Sequence, residues 1–179
     1  MEPIIILQVL WLFLPAAIAN MSPVFFKKVK FLSYPVDFGL KLRNKPLFGK
    51  NKTFRGFFFG TLIAIIIALL QSLFYEQTKV LALIDYSAFN PLLLGFLLGF
   101  GALIGDLIES LIKRQFNIPP GHPWFPMDQT DWVFGAIFLL IPFIDISFQI
   151  YLIALILFAI LHPLANYIGF LLKIKKSKW

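Results

Sequence analysis

Five apolar stretches, each close to the length a bilayer demands, decide what this chain can fold into. Roughly 20 apolar residues cross a hydrocarbon core as a helix. The stretches run from Ile4 to Asn20, Gly56 to Tyr75, Pro91 to Ile112, Trp132 to Ile144 and Ile146 to Leu172. Asp145 separates the last two and marks a tight turn outside the hydrocarbon. The chain is 59% hydrophobic and 14% charged, against about 45–50% and about 25% in soluble domains. That balance excludes both a soluble globule and a disordered chain. The lack of Cys removes disulfides, thiolate metal sites and cysteine nucleophiles. The expectation is an all-α integral membrane protein with five transmembrane helices, residues 1–179 forming a single domain.

The basic residues orient these helices. Met21–Arg55 holds nine Lys/Arg, Lys113–Asp131 holds two and the tail after Leu172 holds four, while Glu76–Asn90 holds only Lys79. Cytoplasmic loops carry the Lys/Arg excess, so the N-terminus is expected outside and the C-terminus inside. A signal peptide is the rival reading of the first stretch, because Ala17-Ile18-Ala19 resembles a cleavage site. Met1-Glu2-Pro3 offers no basic n-region, however, and Lys27, Lys28 and Lys30 hold a retained helix. The net charge of +7 is thus largely topological; its partners are the lipid bilayer and anionic substrates, and no nucleic acid is expected. Phe25, Phe26, Val29 and Leu32 form one face of an expected short interfacial helix flanked by lysines.

Ionisable residues inside a membrane are costly and mark functional sites. Asp106, Glu109 and Lys113 share a face of the third stretch. Asn20, Asn166 and His162 lie at comparable depth on two other helices. Together they predict one wet cavity opening to the cytoplasm, interhelical hydrogen bonding being the plainer alternative for the asparagines and the histidine. Gly95 and Gly99, then Gly101 and Gly105, form small-xxx-small pairs that predict close helix packing.

Two cytoplasmic loops carry the remaining chemistry. Gln115–Asp131 is proline-rich and ends in Asp128 and Asp131, which cap or charge a helix start or, with Asp106 and Glu109, supply hard oxygen ligands for Mg²⁺. The other loop ends Gly49-Lys50-Asn51-Lys52-Thr53-Phe54-Arg55-Gly56. It fails the P-loop pattern, and Asp37-Phe38-Gly39 stands without other kinase elements. It still places cations and a hydroxyl at a helix N-terminus, an arrangement suited to polyphosphate. His122 is expected to be structural.

Asp106-Leu-Ile-Glu109-Ser110-Leu-Ile-Lys113-Arg114, then Gly121, then Asp128-Gln-Thr-Asp131 resembles the signature of the phosphatidate cytidylyltransferase (CDP-diacylglycerol synthase) family. Lys52-Thr53-Phe54-Arg55-Gly56 is similar to a second family motif, with Arg55 where many members have Glu. The loop Asp37-Phe38-Gly39 … Gly56, the segment Asn20–Pro23 and the His162/Asn166 ending resemble the family's archaeal ether-lipid branch. Departures are the missing Lys-Asp after Arg114, a shorter loop, and Trp124-Phe-Pro-Met127 before the aspartates. The resemblance implies transfer of CMP from CTP to a membrane lipid phosphate, 2,3-bis-O-geranylgeranyl-sn-glycerol 1-phosphate, with release of pyrophosphate. It implies Mg²⁺ on Asp106, Asp128, Asp131 and Glu109. Lys113 would act in catalysis, and Lys52, Thr53, Arg55, Arg114, Asn20 and Asn166 would bind substrate. A small transporter or channel with an acid-lined cavity is the rival; the almost apolar outer halves, such as Ile4–Phe13, speak against it. A CDP-alcohol phosphotransferase is a second rival, but Trp132-Val133-Phe134 follows Asp131 where that family needs a different motif.

Overall fold

Helices that cross a lipid must satisfy their own backbone, and nearly all regular structure here is helical. The structure, a computed structural model, describes residues 4–120 and 122–171. Gly121 and the four lysines after Leu172 lie outside the described residues. In chain order the helices are α1 (Ile4–Phe25), α2 (Phe54–Leu73), the short α3 (Tyr75–Thr78), α4 (Pro91–Gln115), α5 (Met127–Leu140) and α6 (Phe148–Leu171). Among the described residues α1, α2, α4 and α6 are long and apolar enough to cross a membrane. With 14 residues, α5 is about 21 Å long, short of a hydrocarbon core of about 30 Å. The expected fourth crossing therefore differs from the observed element. It begins at Met127 rather than Trp132, and Ile141–Phe143 is an apolar turn.

α4 is the central helix. Asn90 caps it, accepting from the Leu92 and Leu93 N–H groups, with Pro91 at the first turn where its missing N–H costs nothing. One face meets α2, whose buried Gly56, Gly60, Ala64 and Ala68 recur every four residues. Gly95 and Gly99 lie directly against the α2 backbone and Ala64. The next face meets α5, where Gly101 and Gly105 oppose Gly135 and the Asp131 carbonyl. The two glycine pairs thus serve two different neighbours. Between α1, α5 and α6 the core is filled by larger rings: Trp132 and Phe158 meet edge-on at 4.7 Å between centroids, and Phe13 meets Phe158 at 6.0 Å.

The segment after α1 holds no interfacial helix. α1 absorbs Phe25, and Leu32 takes a left-handed backbone (φ 50°). Further along, the chain forms a two-stranded hairpin, β1 (Lys41–Leu42) against β2 (Lys45–Pro46), with Leu42 opposite Lys45. Arg43 and Asn44 both have positive φ (53° and 63°), as a two-residue hairpin turn matched to strand twist requires.

Gly101 gives a direct test of the packing. A Cβ there would stand 2.7 Å from the Gly135 carbonyl oxygen and 2.9 Å from Ala136 Cα, atoms that cannot rotate away. Gly101→Ala should lower stability by about 1–3 kcal/mol, read as a fall in thermal midpoint in detergent. An unchanged midpoint would mean that α4 and α5 are not held at backbone contact.

Candidate active site

Antiparallel neighbours bring the C-terminal halves of α1, α4 and α6 beside the N-terminal ends of α2 and α5. There the side chains enclose a cavity of about 280 Å³. α4 contributes Asp106, Glu109, Ser110, Lys113 and Arg114; α5 contributes Asp128 and Asp131. Asn20 of α1, His162 of α6, Pro120 and the loop Phe48–Lys52 complete the lining. Residues from six separate parts of the chain therefore converge, the predicted Asn166 excepted.

The carboxylates divide into two groups. Asp106, Glu109 and Asp131 each bring an oxygen to within 4.8 Å of the others. Asp128 touches Glu109 but is not one of that trio: one oxygen accepts from Lys113 Nζ at 2.6 Å and the other from the Trp124 N–H at 2.8 Å. Neither aspartate caps α5 as a side-chain N-cap. That position belongs to Pro126, which offers no side-chain bond; Asp128 sits in the first turn and reaches back, and Asp131 lies a turn further in. The Asp131 carboxylate accepts from the adjacent Trp132 N–H at 2.7 Å.

Cations hold these acids in place. Lys52 Nζ meets Asp106 at 2.5 Å, with both side chains about a quarter exposed. Lys113 lies between Glu109 at 3.2 Å and Asp128 at 2.6 Å. Glu109 and Lys113 are nearly inaccessible, and Glu109 Oε1 has no aligned hydrogen bond. Arg114 is also buried, with Nε and Nη1 lacking partners among the described residues. Three carboxylates that each bring an oxygen within 4.8 Å of the others fit a hard divalent cation.

The basic loop serves two purposes. Lys50, Asn51 and Lys52 line the cavity, whereas Thr53 and Arg55 are not among the lining residues. Thr53 is buried and caps α2, its hydroxyl accepting from the Gly56 N–H at 3.3 Å. Arg55 donates to the Val29 carbonyl at 2.5 Å and ties the start of α2 to the segment after α1. Asn166, one turn beyond His162, is half-buried and likewise outside the lining. His122 is exposed, its N–H closing a turn on Pro119. Five lining residues carry no assignment from sequence, Gly49 and Asn51 of the basic loop among them. Ser110 sits one turn from Asp106 on the same face, a legible signal; Phe48 and Pro120 carry none.

Asp37, whose kinase-like triplet has no kinase context, proves to be structural to the loop. Burial would raise its pKa, but N–H bonds from Phe48, Gly39 and Gly49 outweigh that and hold the carboxyl below its ordinary 3.8.

A lipid-embedded helical bundle with an acidic trio, ion-paired lysines and a basic loop around one cavity defines an intramembrane enzyme for phosphorylated substrates. Known proteins agree. The family described as CarS-like, CDP-archaeol synthase, matches residues 3–179. The CDP-archaeol synthase of Pyrococcus furiosus is 35% identical over 175 residues, 97% of this chain and 98% of that one. That of Pyrococcus abyssi is 36% identical over 177 residues, again 97% and 98% of the two chains. A solved structure of an intramembrane enzyme for archaeal membrane lipids biosynthesis superimposes with a TM-score of 0.70. It is 30% identical, covering 90% of this chain and 94% of that one. The chain belongs to the CDP-archaeol synthase family, which sets aside the transporter and phosphotransferase rivals. It is a multi-pass membrane protein.

The buried ion triad predicts an asymmetry between the two lysines. Lys113→Met leaves Glu109 and Asp128 without their shared cation and should cost about 3–5 kcal/mol. Lys52→Met, at the better-solvated pair, should cost about 1 kcal/mol or less. Thermal unfolding in detergent compares them, and equal losses would refute the division into buried and open pairs.

Proposed function

We propose that this protein transfers the cytidylyl group of CTP to an archaeal ether-lipid phosphate, giving a CDP-activated lipid and pyrophosphate. The observation that carries this reading is the acidic trio Asp106, Glu109 and Asp131, with Lys52 paired to Asp106, in the wall of one cavity. Family membership narrows the chemistry. 2,3-Bis-O-geranylgeranyl-sn-glycerol 1-phosphate is the proposed acceptor, and the whole chain is the catalytic unit.

A lipid phosphomonoester has a second pKa of about 6 and is largely dianionic at pH 7. Its oxygen attacks the α-phosphorus of CTP; the bond to the bridging oxygen of the β-phosphate breaks, and pyrophosphate leaves with that electron pair. The nucleophile needs no strong base, so the protein's task is charge neutralisation and in-line alignment. Asp106, Glu109 and Asp131 would hold Mg²⁺, which when bound neutralises phosphoryl oxygens. Lys50 and Lys52 meet the polyphosphate from the loop side. Arg114, with donors lacking partners among the described residues, offers its planar fork to a phosphate. Asp128 keeps Lys113 oriented toward the cavity, and Asn20 and His162 line the deeper wall. Thr53 and Arg55 support substrate binding indirectly, by fixing the start of α2.

Five crossings result if α5 together with the apolar turn after it spans the bilayer. The basic loops then place the N-terminus outside, and the cavity and C-terminus in the cytoplasm, where CTP is available.

Purified protein given labelled CTP, Mg²⁺ and a panel of lipid phosphates should form CDP-lipid and lose activity to chelator. Asp106→Asn and Asp131→Asn should each fall by at least about 100-fold, because they remove the charge that a dication needs. Near-parental turnover with unchanged Mg²⁺ dependence in both would place the site elsewhere.

Orientation is checked by cysteine labelling in intact cells. The exposed Lys41 supplies the inner position. Cysteine at Ser87 should react with an impermeant thiol reagent and cysteine at Lys41 should not. The reverse pattern would invert the protein.

A further inference from the structure

We propose that Asp37 is a positioning residue for the polyphosphate of the nucleotide, its carboxylate fixing the Gly49–Lys52 loop in the shape that presents Lys50 and Lys52 to the cavity. This rests on the cytidylyl-transfer reading.

Asp37 does not line the cavity and is 4% exposed. Among the described residues no cation pairs with it. Its charge is spent on backbone instead. Oδ1 accepts from the Gly39 N–H at 2.9 Å, and Oδ2 accepts from the N–H groups of Phe48 and Gly49 at 3.0 and 3.1 Å. Two consecutive N–H groups converging on one oxygen form an anion-binding concavity. Here the chain fills it with its own carboxylate, so it holds the loop rather than a substrate phosphate.

The constraint passes directly to Lys52. The Gly49 carbonyl accepts from the Lys52 N–H at 3.2 Å, and the Lys52 carbonyl accepts from the Val36 N–H at 2.8 Å, next to Asp37. Lys52 is thus fixed on both sides of its peptide frame before its ammonium reaches Asp106. Gly49 makes the turn at φ +100°, a conformation closed to most side chains. A second anchor holds the strap to the central helix: Lys45 Nζ donates to the Gln115 carbonyl at the end of α4, at 2.6 Å.

Asp37→Ala removes all three acceptor contacts; Asp37→Asn keeps the size and one acceptor oxygen. The Michaelis constant for CTP should rise about tenfold in the first and about threefold in the second, since hydrogen bonds to a charged group are the strong ones. The constant for lipid phosphate should stay near parental. A CTP constant within about twofold of the parent in both variants would overturn the proposal. So would a parallel loss of both constants and of stability, which marks a merely structural residue. Should Asp37→Ala not fold, Asp37→Asn decides by the same criterion. Calorimetric binding of inorganic pyrophosphate separates this proposal from the reading beneath it. If the parent makes no CDP-lipid from any lipid phosphate, the transfer reading falls. Weaker pyrophosphate binding by Asp37→Ala, but not by the exposed Lys28→Ala, would still support the positioning role. Equal pyrophosphate affinity in parent and Asp37→Ala would overturn it.

Discussion

Backbone contact between α4 and its two neighbours is the constraint on which the site depends. Lipid gives no hydrophobic force between helices, so association relies on close packing. Glycine permits it on two faces of α4, toward α2 through Gly95 and Gly99 and toward α5 through Gly101 and Gly105. Gly105 precedes Asp106 and rests on the carbonyl of Asp131, so the glycine that closes the interface also sets the separation of the two aspartates. On the other face the same closeness lets Lys52, at the foot of α2, reach Asp106. Scaffold and site are one set of contacts.

Much of this is legible in the sequence, and physics explains where legibility stops. Apolar runs and stranded charges obey rules of length and cost, so the long helices and the convergence of Asp106, Glu109, Lys113, Asn20 and His162 can be read. The start of α5 cannot: Met127–Asp131 is polar and looks like loop, but its backbone closes as helix because Asp128 reaches back to Trp124. The segment after α1 misleads for a related reason. Its order comes from a tight hairpin and from Asp37 bonding Phe48 and Gly49, eleven and twelve residues away. Side-chain-to-backbone bonds at that separation leave no periodic trace. Thr53 and Arg55 sit within a suggestive basic string, yet capping and a carbonyl contact claim them.

Four carboxylates, Asp106, Glu109, Asp128 and Asp131, line the cavity with four basic groups, Lys50, Lys52, Lys113 and Arg114. Their formal charges cancel. A lipid-embedded pocket of either sign would be expensive to maintain, and here Lys52 pairs with Asp106 while Lys113 bridges Glu109 and Asp128. Neutrality also governs how such a pocket fills. An anion that draws Lys52 from Asp106 uncovers a carboxylate, and a cation that occupies that carboxylate releases Lys52 to the anion. Each guest thereby improves the berth of the other, and the coupling is reciprocal by thermodynamic necessity. The Lys52–Asp106 pair of the resting cavity would then favour joint entry of oppositely charged ligands over the arrival of either alone.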